Sequence, residues 1–137
     1  MNKSMFATAA LALAAWSMTA PALAEDVKVS LAGGQEVPPV TTSASGEGTV
    51  TVNADKTVSV HVTTKGIDAT MAHIHMAAPG ANGPVIVPFK KEGDAWVANA
   101  GAKLSDEQYA AYKAGNLYVN VHSAAHPGGE IRAQIKP

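Results

Sequence analysis

Four of the five histidines in this 137-residue chain fall in two short segments, His73-Ile74-His75 and His122-Ser123-Ala124-Ala125-His126. Imidazole is a common metal ligand, and strand parity decides whether two rings can act together. Alternate side chains of a β-strand share a face, so His73 and His75 point one way and Ile74 the other. Two residues of rise separate their Cα atoms by roughly 6.6 Å, close enough for both rings to converge on one ion. His122 ends another strand-like run, Leu117-Tyr118-Val119-Asn120-Val121-His122, and its parity places it on the outward face beside Asn120 and Tyr118. His126 lies four residues on in a Pro-Gly-rich loop, from where it can swing in or stay solvated. The plain alternative is four polar residues on a solvated sheet, or imidazoles that hydrogen-bond loop carbonyls and pin the Gly80 to Gly83 turn. His61 stands alone on its strand and takes that plain reading.

An all-nitrogen set suits Cu(II), Zn(II) or Ni(II), and Cu(II) has the highest intrinsic affinity of the three. A copper ion is therefore the expected cofactor, with zinc as the alternative, held by His73, His75, His122 and His126. The chain has no cysteine, so thiolate ligands are excluded. Met71 shares the face of His73, and Met76 follows His75 directly. A thioether favours Cu(I), but methionine more often fills gaps in a core, and neither is counted in the site. Glu130 is placed to accept from a ligating imidazole, and Arg132 to guide an anion or to pair with Glu130 or Glu36. A cross-strand ion pair, worth about 0–1 kcal/mol when exposed, is the simpler assignment. No catalytic constellation accompanies these residues. Ser123 and His122 are strand neighbours facing opposite ways, carboxylates do not cluster in pairs, and no Gly-rich loop precedes a helix.

The N-terminus reads as a leader. Lys3 precedes an apolar run from Phe6 to Trp16, and Pro21-Ala22-Leu23-Ala24 has the small-x-small pattern of a signal-peptidase site. The run is shorter than the roughly 20 apolar residues of a membrane anchor. Residues 1–24 are assigned to a signal peptide and 25–137 to one domain, placed in the periplasm or outside the cell. Beyond Ala24 nine basic and eleven acidic residues leave a net charge of −2, with no basic cluster, which argues against a nucleic-acid partner. No later stretch is apolar for long enough to span a bilayer. An exported domain without disulfides must rest on a packed core, helped by a bound ion where there is one.

Short β-branched runs alternate with polar residues between Gly, Asn, Asp and Pro, the pattern of an antiparallel sandwich or barrel. Strands are expected at Val27–Leu31, Gly48–Val52, Thr57–Val62, Ala69–His75, Val85–Phe89, Ala95–Ala98, Leu117–His122 and Glu130–Ile135. Asn53 to Lys56 supplies a hairpin turn, and Pro88 marks an edge or the end of its strand. One helix is expected near residues 105–114. Ser105 and Gln108 form a capping box, Leu104 and Tyr109 a hydrophobic staple, and Gly115 closes the C-terminus. Tyr109 and Tyr112 share the face that packs on the sheet.

Five blocks carry a family resemblance: Leu31-Ala-Gly-Gly-Gln-Glu-Val-Pro-Pro-Val40, Ala72-His-Ile-His75, Asn82-Gly-Pro84, Tyr118-Val-Asn-Val-His-Ser123 and His126-Pro-Gly-Gly-Glu-Ile-Arg132. In that order, through nearly all of residues 25–137, they closely resemble the chordin-domain (CHRD) family. The resemblance implies an extracellular or periplasmic module with a β-sandwich fold, single in bacteria and repeated in chordin, which binds secreted growth factors. A weaker similarity is to copper-zinc superoxide dismutases, which also carry a His-x-His strand joined by imidazoles from loops and a later strand. This chain lacks their cysteine pair and a clear zinc loop, so only a copper-like half-site corresponds, and such an analogy does not carry activity.

The expected fold is thus an all-β, antiparallel, Greek-key-like β-sandwich with one short helix. The leading function is an exported metal-binding domain whose partner is the ion. The alternative is a non-catalytic module that docks an envelope or extracellular protein and uses its histidines structurally. The third is a dismutase-like redox enzyme.

Overall fold

The computed structural model describes residues 24–137 together with Ala14 and Ala15. The leader assigned to residues 1–24 otherwise lies outside the described residues. In chain order the elements are β1 (Glu25–Ala32), a 3-10 turn (Gly33–Gln35), β2 (Ser45–Val52), β3 (Val58–Lys65), β4 (Ala69–Met76) and β5 (Val85–Glu92). They continue with β6 (Ala95–Ala98), α1 (Asp106–Lys113), β7 (Leu117–Ser123) and β8 (Ile131–Ile135).

Alternation builds the core as the pattern requires. Val27, Val29 and Leu31 of β1, Val58, Val60 and Val62 of β3, and Ile131, Ala133 and Ile135 of β8 are all buried. Ala72 and Ile74 of β4 join them, which turns His73 and His75 to the outer face.

The sandwich expectation is corrected. All eight strands close into one antiparallel barrel in the order β1-β2-β3-β6-β5-β4-β7-β8. A sandwich and a barrel share the same buried-outward alternation, so local pattern does not separate them. The deciding contact is non-local: Ala32 of β1 pairs with Arg132 of β8. Register shifts at Ile74/His75 and Ala69/Met71 let β4 turn between β5 and β7. Bulges of this kind bend a strand and raise its twist, which lets one sheet curl until its edges meet. The Greek-key crossing is present, because the β4-β5-β6 meander brings β6 back beside β3.

Pro88 does not end its strand as expected. β5 runs on to Glu92 between β4 and β6, but its pairing with β6 begins only at Phe89, one residue past the proline. The missing amide donor therefore falls where that ladder has already stopped.

The helix follows its signals. Ser105 accepts from the Gln108 amide at 3.1 Å and Gln108 Oε1 accepts from the Ser105 amide at 2.9 Å. Gly115, at φ 79°, and Asn116 close the other end by donating to Tyr112 and Ala111. Ser105→Ala is expected to cost about 1 kcal/mol, read as a lower urea midpoint with an unchanged slope. An unchanged midpoint would show that the cap is not what holds α1.

One departure concerns the site directly. Every residue of β7 is buried, on both faces, although its outward residues were expected to meet solvent. The loops that carry Gly83, Pro127 to Gly129, and Glu36 lie over that outer face and its histidines.

Candidate metal centre

Strand register sets the outer face in rows. Met71 lies opposite His122, His73 opposite Asn120, and His75 opposite Tyr118. On the other side of β7, Asn120 faces Arg132 and Tyr118 faces Gln134. One ring nitrogen from each of His73, His75 and His122 lies within 4.8 Å of the others.

Hydrogen bonds fix the protons on two of these rings. His75 Nδ1 is 2.9 Å from the Gly83 carbonyl oxygen, and His122 Nδ1 is 2.9 Å from that of Pro127. A carbonyl only accepts, so both Nδ1 atoms carry hydrogen and both Nε2 atoms keep a free lone pair. His122 Nε2 then accepts from His73 Nδ1, 3.0 Å away. His75 Nε2 is buried and makes no hydrogen bond of normal length, with the Asn120 carboxamide beside the ring. Two nitrogens each about 2.0–2.1 Å from one ion stand about 2.9–3.4 Å apart, so the separation of His73 Nδ1 and His122 Nε2 suits a cation in place of the shared proton. The donor set that fits is His73 Nδ1, His75 Nε2 and His122 Nε2, with carbonyls orienting two of the three rings as ligating histidines require.

Burial favours the neutral form of His73 and His75. It holds His73 down at about pKa 4, helped by His122 and His75, and it lowers His75 against the opposing hydrogen bond to Gly83. Neutral imidazole is the form that binds a metal.

The loop over His75 is stitched in place. The Gly83 amide donates to the Tyr118 hydroxyl at 3.1 Å, and the Met76 amide donates to the Pro84 carbonyl at 3.1 Å. His75 stacks on Tyr118 with ring centroids 4.8 Å apart and planes 2° from parallel. The Arg132 guanidinium covers Tyr118 at 3.5 Å and donates to Asn82 and Gln134. Arg132 is only 2 % exposed, so it braces the stack and does not offer itself to an arriving anion. Nor does it form the cross-strand ion pair with Glu130. The one ion pair among the described residues joins Lys56 to Asp106. Glu130 accepts from Thr42 and Ser123 hydroxyls at 2.9 and 2.7 Å, and no imidazole donates to it.

Glu36 is the second buried carboxyl, 5 % exposed, and burial outweighs the Arg132 charge to raise its pKa to about 7. The unfolded chain ionises near 4.5, so this group's contribution to stability is complete below pH 4.5 and is lost as pH rises through about 7. His73 acts in the opposite sense, losing its contribution as pH falls from 6.5 through about 4. Glu36→Gln removes only the first effect. Between pH 4.5 and pH 8 the metal-free variant is expected to gain about 2–3 kcal/mol relative to wild type, measured by urea unfolding at both pH values. A difference independent of pH would contradict this assignment.

His126 is not among the three converging rings. Its backbone closes the loop after β7, where its amide is 3.1 Å from the Ser123 hydroxyl, and it lines a groove with Glu36, Pro38 and Gly129. His61 is exposed on β3 opposite Val97, away from the cluster. Met71, 48 % exposed, flanks the site beside His122, and Met76 packs against the core. Sequence reasoning placed Tyr118 and Asn120 beside His122 without giving them a part. Their shared parity on β7 was the signal. Glu36 carried no such signal, because its burial depends on loops that meet only in the folded chain.

A family model described as the CHRD domain matches residues 27–135. No curated protein and no solved structure matches the chain.

Proposed function

This chain belongs to the CHRD-domain family, and we propose that it is an exported module that binds one transition-metal ion through His73, His75 and His122. Copper is the favoured ion, by its affinity for imidazole, and zinc the alternative. One observation carries the reading: a buried His75 Nε2 with no hydrogen bond of normal length, facing a cluster whose other lone pair is only 3.0 Å from its neighbour. A buried polar atom left unpaired costs about 1–3 kcal/mol, and a cation at this point would remove that cost. When bound, copper would supply a Lewis-acidic and redox-active centre. The protein's part is to hold neutral nitrogens in fixed tautomers under a loop. The leader-like residues 1–24 support export, and the net charge of the remainder gives no sign of a nucleic-acid partner.

Titration of Cu(II) and Zn(II) into the purified protein, against a His73→Ala/His75→Ala variant, tests the proposal. One ion per chain, bound by wild type and not by the variant, is the expected result. Equal, weak uptake by both proteins would return the histidines to a structural role and favour the protein-docking alternative.

A further inference from the structure

Three side-chain atoms among the described residues are buried without a hydrogen-bond partner: His75 Nε2, Asn120 Oδ1 and Glu36 Oε1. They are not scattered. Asn120 is the cross-strand neighbour of both His73 and Arg132, so it stands between the histidine rows and β8. Its carboxamide lies beside His75 on one side and Glu36 on the other. Gly129 shows how closely the second pair converges, since a Cβ there would be 2.6 Å from both Asn120 Nδ2 and Glu36 Oε1. The amide nitrogen and the carboxyl oxygen thus border the same small space under Gly129.

Charge explains why such a line is useful. Three neutral imidazoles leave the whole charge of a bound dication uncompensated, and a mostly buried site screens it poorly. Two buried carboxyls stand near. Glu130 is already held by two hydroxyls, whereas Glu36 keeps one oxygen free. We propose that Glu36 is the counter-charge of the histidine centre, with the Asn120 carboxamide standing between it and His75. The inference rests on the metal reading above and assigns the residue that sets affinity and proton balance at that site. In the metal-free protein the carboxyl is largely protonated at pH 6 and about half protonated at pH 7. Loading with a divalent ion ionises it: the O–H bond breaks, the electron pair stays on the carboxylate, and the proton leaves to solvent. The groove lined by Glu36 and His126 offers the exit. The charged group beside Glu36 is Arg132 from β8, which favours the ionised form; Lys136 from the chain end lines the groove on that side.

Calorimetric titration of Zn(II) at pH 6, 7 and 8, each in two buffers of different protonation enthalpy, tests this on wild type, Glu36→Gln and His73→Ala/His75→Ala. At pH 6 and 7 wild type should release more protons per zinc than Glu36→Gln, the excess vanishing at pH 8. At pH 8 the Glu36→Gln affinity should be lower by about tenfold or more. Equal proton release and equal affinity in these two proteins, with wild type still binding tightly, would overturn the inference and leave the metal site standing. Zinc affinity no greater in wild type than in the double-histidine variant would overturn both. Infrared difference spectra of wild type need no variant: a protonated-carboxyl band should be lost on adding Zn(II) at pH 6, and its persistence would contradict the proposal.

Discussion

His73→Ala/His75→Ala is expected to lower the affinity for Cu(II) and Zn(II) by more than about a hundredfold. Removing a group that merely orients a ligand costs about 10–100-fold, and this variant removes two of three donors. The remaining ring, His122, still donates to Pro127, but it loses the partner that shares its Nε2. Stability follows by linkage. An ion at a hundred times its dissociation constant stabilises the native state by about 2.7 kcal/mol, so added metal should raise the unfolding midpoint of wild type and leave that of the variant unmoved. His61→Ala and His126→Ala should bind like wild type, since neither ring lies in the converging set. A loss at His126 as large as at His75 would mean that the loop after β7 swings in when the ion arrives.

Gly83→Ala is expected to be the most damaging single methyl group near the centre, lowering stability by about 2–4 kcal/mol and metal affinity by about tenfold. A Cβ at Gly83 would overlap the Met76 carbonyl oxygen and lie 2.7 Å from its carbon, so two stretches of backbone must part. Those stretches are the end of β4 and the loop that roofs the site. Parting them pulls the Gly83 carbonyl from His75 and the Gly83 amide from Tyr118. His75 then loses the bond that leaves its Nε2 bare. Gly128→Ala is the control, because nothing lies within 4 Å of a Cβ there. Urea midpoints for both metal-free variants, followed by copper titration, give the two numbers. Equal behaviour of the two variants would show that the roof over His75 is not what orients it.

Much of this centre was legible in the residue order because parity is local. His73 and His75 had to share a face once Ala72 and Ile74 took the core, and His122 had to join Asn120 and Tyr118. The Ser105-Gln108 box marked the start of α1 for the same reason, since its two bonds span only three residues. What was not legible is non-local. Closure through Ala32 and Arg132 joins residues a hundred positions apart, and nothing in either strand distinguishes that pairing from a free edge. Arg132 and Glu130 alternate like a surface pair. Their burial comes from Tyr118, Asn82, Thr42 and Ser123, which meet them only after the loops fold across β7. Glu36 is the clearest case. Its neighbours in the chain carry no sign of burial, whereas its environment is set by Asn120, Arg132 and the bare Cα of Gly129.

Anomalous diffraction at the copper edge, from crystals of the copper-loaded protein, shows directly whether the three histidines hold the ion. One strong peak per chain is expected, within bonding distance of His73 Nδ1, His75 Nε2 and His122 Nε2, with the Gly83 and Pro127 carbonyls still accepting from the Nδ1 atoms of His75 and His122. A peak lying elsewhere, or fully loaded protein with the three rings still joined only by the His73–His122 hydrogen bond, would contradict it.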